Sequence, residues 1–99
     1  MAHPIIWSKP ALADLDVITA TIARHSPITA GRVRRKIVEK TRTIESLPFL
    51  GAVYPRDPKG TTREIQSGKY RIFYRFDEQA GQVQILAIWH GARQDPDIL

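Results

Sequence analysis

The sequence contains no cysteine, which excludes a disulfide framework and any thiolate metal site and fits a reducing compartment. It has no run of about eighteen apolar residues. Its first eight residues, MAHPIIWS, lack a basic segment followed by a long apolar stretch, so neither a membrane helix nor a secretory leader is read here. Internal repeats and low-complexity segments are also missing. Hydrophobic residues make up 42% and charged residues 25%, the proportions of an ordinary folded chain, and 99 residues correspond to one domain over residues 1–99. The expectation is a soluble, cytoplasmic protein with no metal and no cofactor.

What the chain does carry is positive charge, +5 in all with a pI near 10.0. Residues 1–50 hold eight cations (Lys9, Arg24, Arg32, Arg34, Arg35, Lys36, Lys40, Arg42) against four carboxylates (Asp14, Asp16, Glu39, Glu45), a net +4, which leaves +1 for the other half. A basic domain attracts phosphates or acidic proteins without saying which.

The strongest periodicity lies in KYRIFYRFDEQAGQVQILAIWH, residues 69–90. Tyr70, Ile72, Tyr74 and Phe76 occupy every second position, so one face of a strand enters a core and Lys69, Arg71 and Arg75 stand on the other. The second arm, Gln82 to His90, is apolar with hardly a break, as in a strand covered on both faces. Between the arms lie the small and polar residues of a hairpin loop.

Before this hairpin, His3 to Trp7 reads as a short strand. Ser8 and Pro10 start a helix with Leu12, Leu15, Ile18 and Ile22 at helical spacing, and Asp14 and Asp16 sit near the favourable end of its dipole. Ser26 and Pro27 start a second helix that carries Ala30, Val33, Ile37, Ile44 and Leu47 on one stripe and ends at Pro48. Arg32, Arg34, Arg35 and Lys36 cannot all share that stripe, so part of the run faces solvent or a partner. Residues 49–62 read as a loop and residues 62–66 as a short strand. The predicted fold is α+β, in the order β-α-α-β-β-β, an antiparallel sheet against an N-terminal helical hairpin, with a tail from about residue 91. His3 and His25, near element ends, are read as solvated, and Trp7 and Trp89 as core aromatics.

The second half also carries Arg63-Glu64-Ile65, then Gly68-Lys69-Tyr70-Arg71-Ile72 with Tyr74-Arg75, then Ile85-Leu86 with Ile88, and His90-Gly91 with Arg93. With this order of elements, the pattern resembles the ParE/RelE superfamily of bacterial type II toxin–antitoxin toxins. The first half resembles it more loosely, through Ala11, Asp14 and Leu15 and through Leu47-Pro48 before Gly51. The resemblance implies a basic toxin in hetero-oligomeric complex with a cognate ParD-like antitoxin. The antitoxin would contact Leu12, Ile18, Ile22, Val33 and Ile37 together with Arg71 and Arg75. Target contacts are expected at Arg63, Lys69, Arg71, Arg75, His90 and Arg93. ParE-like members, of the plasmid-stabilisation type, poison DNA gyrase by binding it, whereas RelE-like members cleave mRNA on the ribosome without a metal.

Metal-free cleavage of RNA needs a base for the 2′-hydroxyl, cations for the crowded phosphate and an acid for the leaving oxygen. Arg71, Arg75 and Lys69 supply cations, and His90 is the neighbouring imidazole, the side-chain type best suited to serve as acid or base. Whether His90 shares a face with Arg71 depends on the hairpin's register, which the sequence leaves open. The ribonuclease branch resembles a denser basic site, with lysines on the strand before the hairpin and an aromatic or imidazole group at the C-terminus. Here that strand offers Arg63 and Glu64, and the chain ends Pro96-Asp97-Ile98-Leu99. The reading therefore leans to a non-enzymatic, gyrase-binding toxin. A ribosome-dependent endoribonuclease and a non-toxic binding module stand as the alternatives.

Overall fold

A computed structural model of the protein describes residues 2–91. Its elements are β1 (Ile5–Trp7), α1 (Lys9–Ala23), α2 (Pro27–Ser46), β2 (Ala52–Val53), β3 (Thr62–Ser67), β4 (Tyr70–Asp77) and β5 (Gln82–His90). The strands form one five-stranded sheet in the order β1-β5-β4-β3-β2, with the helical hairpin on one face. β3, β4 and β5 pair antiparallel as expected, and the added two-residue β2 extends the sheet within the region read as a loop. β1 instead runs parallel to β5, so the sheet is mixed. A reversal at each connection from β1 through both helices and β2, β3 and β4 returns β5 to β1's direction.

Local chemistry sets the helix limits. The Ser8 and Ser26 hydroxyls accept from the N–H groups of Ala11 and Thr29, both at 3.2 Å, and a proline occupies the first turn of each helix. Leu47 leaves helical geometry (φ −129°, ψ 67°) as the cap before Pro48, and its side chain is exposed instead of completing the buried stripe. Asp14 lies beyond the first turn of α1 and serves the sheet: its carboxylate accepts from the Ile88 N–H at 3.0 Å. Ser8 covers the same β5 edge, donating its N–H to Ile85 O and its hydroxyl to Leu86 O. Together they close the strand edge that β1 leaves open after Trp7.

The core between helices and sheet contains Ala11, Leu15, Ile37, Ile44, Ile72, Tyr74, Val83, Ile85 and Ile88. Each large aliphatic here contributes about 1.5–3 kcal/mol by leaving water. The unbroken apolar run of β5 has a specific cause. Phe73 pairs with Ala87 but Tyr74 with Ile85, so Leu86 is an extra residue in a β-bulge. The bulge flips the alternation and turns both Ile85 and Ile88 toward the helices, while Ala87 joins Tyr54 and Phe73 in a second cluster on the opposite face. His3 is half-buried, not solvated. Its N–H donates to Glu45 O at 2.7 Å, and its ring stands edge-on to Phe76 with Nδ1 3.2 Å from Gly81 O, latching the N-terminal segment to α2 and the hairpin loop. Among the described residues no helix is long and apolar enough to cross a membrane.

Candidate functional site

Arg71, Phe73 and Arg75 project from β4 on the face away from the helices, as the alternation requires. Arg71 lies over the Phe73 ring, 4.9 Å from its centre, and donates through Nε to Glu64 Oε2 at 2.9 Å and through Nη2 to Oε1 at 3.4 Å. The pair is well covered, with 15% and 23% of the two side chains exposed. Arg75 is exposed and donates to Oε1 of Gln84, its cross-strand neighbour, at 2.7 Å. Tyr54 meets Phe73 edge-on, and the partly buried Leu86 and Trp89 flank them, so beneath Arg71 lies a second small core in which Tyr54, Phe73 and Ala87 are buried.

The register decides the question of His90. Tyr70 is opposite His90 and Arg71 is opposite Trp89, which puts His90 with Tyr70 on the helix side and Arg71 on the other. The two rings of the first pair meet edge-on at 5.5 Å. The cation and the imidazole proposed for acid–base work are therefore separated by the sheet. Lys69 lies exposed in the turn before β4, its carbonyl accepting from Gly91 N at 2.7 Å. Arg93 lies outside the described residues. Among the described residues no three His, Asp or Glu side chains gather to hold a metal.

Arg63 serves the loop that follows α2. Its Nη1 donates to Gly51 O at 2.7 Å and Phe49 O at 3.3 Å, and its guanidinium lies over the Phe49 ring. The same loop is fixed from beneath by Tyr74, whose hydroxyl donates to Pro48 O and accepts from Gly51 N, both at 2.8 Å. Burial pushes that phenol up from its usual range, opposed by the Gly51 hydrogen bond and the Arg63 charge. Gly51 has no alternative, since a Cβ there would sit 2.7 Å from both Glu64 O and the Tyr74 hydroxyl. Sequence reasoning placed Tyr74 on the core face but missed its hydroxyl as the anchor. A phenol inside a core strand needs a partner, and that was the available signal.

Asp57 was also missed. Burial opposes its ionisation, yet hydrogen bonds from the backbone of Thr62 and Lys59 and from the threonine hydroxyls of Thr62 and Thr61 hold its carboxyl down at about 2. The backbone bonds are 2.7 Å from Thr62 and 2.9 Å from Lys59. The turn signature Asp57-Pro58-Lys59-Gly60 was the clue.

On the helix side, two grooves of about 390 and 380 Å³ meet at Ile22 and Tyr70. Ile18, Ile22 and Val33, three of the residues expected to bind an antitoxin, line them. Leu12 is 43% exposed but lies outside both grooves, and Ile37 is fully buried in the core. Spacing alone could not separate Ile37 from Val33, since both fall on the inward side of α2 and only packing depth distinguishes them. The channel and the Arg71 face thus lie on opposite sides of the sheet and do not form one surface.

No curated protein sequence matches the chain. Several solved structures share its fold, and three of them are as follows. A chain of the chromosomal ParDE system from P. aeruginosa is 24% identical with a TM-score of 0.74, over 90% of this chain and 96% of that one. A chain of the RelBE2 complex from Mycobacterium tuberculosis is 23% identical with a TM-score of 0.68, over 91% and 99%. A chain of the intact E. coli RelBE complex is 18% identical with a TM-score of 0.65, over 93% and 100%. At such identities these likenesses establish architecture, and the sequence family comes from a different comparison: residues 5–95 match the family model described as the ParE toxin of the type II toxin–antitoxin system parDE. On that match, spanning nearly the whole sequence, the chain belongs to the ParE family of type II toxins.

Proposed function

We propose that this toxin arrests growth in the cytoplasm by binding and poisoning DNA gyrase, without cleaving RNA, and that a cognate ParD-like antitoxin neutralises it. The separation of Arg71 from His90 by the sheet carries the non-enzymatic reading. Phosphate cleavage needs cation and proton donor converging on one oxygen. Here Arg71 is committed to Glu64 and Phe73. What this side of the sheet offers a macromolecule is the exposed Arg75 with the partly buried Leu86 and Trp89, since Phe73 and Tyr54 lie buried beneath Arg71. The antitoxin segment lies in the channel across Ile18, Ile22, Val33 and Tyr70, where an amphipathic helix finds an apolar floor. A net charge of +5 favours an acidic wrapping segment.

The test is induced expression without antitoxin, read in parallel for DNA-damage response with filamentation and for loss of translation. Growth arrest with trapped gyrase–DNA complexes is the expected result. Cleavage of ribosome-bound mRNA by the purified protein, lost in Arg71→Ala, would overturn the proposal, and harmless expression would remove both toxin readings. Antitoxin placement is checked by Ile22→Asp, which should abolish protection while the toxin alone still arrests growth.

A further inference from the structure

The cations of α2 are not used by the fold or by either surface above, apart from two. Arg34 donates to Asp16 at 3.2 Å and so ties the helices together. Lys36 borders the channel beside Tyr70. Arg32, Arg35, Lys36 and Arg42 are all exposed, and among the described residues none of the four makes a hydrogen bond or ion pair. At 3.6 residues per turn, positions 32, 35, 36, 39 and 42 fall within about a third of the helix circumference. That arc is opposite Ala30, Ile37, Thr41 and Ile44, which are buried. Glu39 is the one carboxylate within it, so the stripe nets +3. From Arg32 to Arg42 it runs about 15 Å on a rigid rod.

We infer that this outward stripe of α2 is a docking surface for the phosphate backbone of duplex DNA. Three of its four cations are arginine, whose guanidinium takes phosphate oxygens two at a time. Duplex DNA presents a charge about every 1.7 Å of axis, so a straight cation row meets several phosphates at once. No aromatic side chain lies in the stripe to stack an unpaired base, which disfavours single strands. No apolar residue lies between Arg32 and Arg42 on that arc to anchor an acidic peptide. An α-helix enters the major groove of B-DNA but not the deep, narrow groove of A-form RNA. The surface is independent of the choice of toxin target.

The experiment measures binding of the purified protein to a fluorescent duplex of roughly 20 base pairs and arbitrary sequence, by anisotropy from about 50 to 200 mM salt. Four phosphate contacts predict an affinity that falls about 150-fold across that range. The quadruple variant Arg32→Gln, Arg35→Gln, Lys36→Gln, Arg42→Gln should lose binding, with circular dichroism confirming its helices. Arg32→Gln with Arg35→Gln should lose about tenfold or more at low salt and flatten the salt slope by about 2, whereas Lys9→Gln with Lys59→Gln, an equal charge change elsewhere, should lose less than about threefold. Equal losses in the two double variants would reduce the effect to net charge and overturn the inference. So would wild-type binding by the quadruple variant, tighter binding to an RNA duplex, or a polyglutamate peptide bound as tightly as DNA.

Discussion

Arginines on the sheet and arginines on α2 look alike in the sequence, as cations interleaved with apolar residues, and they have opposite fates in the fold. Arg63, Arg71 and Arg75 each find acceptors on a neighbouring segment: loop carbonyls, a carboxylate on β3, an amide on β5. Arg32, Arg35 and Arg42 find none among the described residues. The cause is geometric. A strand residue has neighbours on both flanking strands less than one side-chain length away, whereas the outward arc of a helix has only its own residues three and four positions along. Cations on a small sheet tend to become structural, and those on the far side of a helix stay available to a partner.

That contrast breaks most severely if the loop that accepts from Arg63 is released. Gly51→Ala puts a Cβ into Glu64 O and the Tyr74 hydroxyl, and overpacking of that kind costs about 3 kcal/mol. Tyr74→Phe leaves the Gly51 N–H and the Pro48 carbonyl without their partner and costs about 2–3 kcal/mol. Urea denaturation measures both, and an unchanged midpoint in either would show that the loop is not held from beneath. Next in size is the Arg71–Glu64 pair. Arg71→Ala uncovers Phe73 and strands a largely covered carboxylate, for about 2 kcal/mol. A double-mutant cycle with Glu64→Gln should return a coupling of about 1 kcal/mol, and additivity would reassign Arg71 to partner binding alone.

Asp57 extends the comparison to an anion consumed by local structure. Its folded value of about 2 lies below the ordinary 3.8, so its stabilising contribution is complete above about pH 4 and is lost as the pH falls toward 2. Acid unfolding curves should therefore be steeper for the wild type than for Asp57→Asn between pH 4 and 2. Parallel curves would show that the turn is held by something other than the carboxylate.

How much of this was readable beforehand follows the same division. The alternation of β4 named its core face correctly, because period-2 patterning survives whatever the neighbours are. β5 hid its bulge: with Leu86 supernumerary, Ile85 and Ile88 share a face at a separation no alternation predicts. The face of His90 therefore depended on pairing, which the residues of one strand do not encode. The parallel pairing of β1 was equally hidden, since it joins the two ends of the chain. Both serine caps were plain, because a cap is decided within four residues. The roles of Arg63 and His3 were not, because their partners lie 12 or more positions away.

The smallest effects are expected on α2, and they are the most informative about function. Replacing Arg32, Arg35 or Arg42 singly by alanine removes no hydrogen bond or ion pair present among the described residues, so stability should move by no more than about 0.5 kcal/mol. Two terms oppose each other. Alanine is the better helix former and loss of Arg32 relieves repulsion from Lys36 four positions on, while loss of Arg35 also removes a favourable neighbour of Glu39 at the same spacing. Arg32→Ala should thus match or slightly exceed the wild type in thermal stability, and Arg35→Ala should fall just below Arg32→Ala. A loss of more than about 1 kcal/mol at either position would reveal a structural partner for the stripe and place these arginines with those of the sheet. Near-neutral stability combined with weakened binding to duplex DNA would instead mark them as cations kept for a ligand, since a side chain that contributes nothing to folding is free to be spent on recognition.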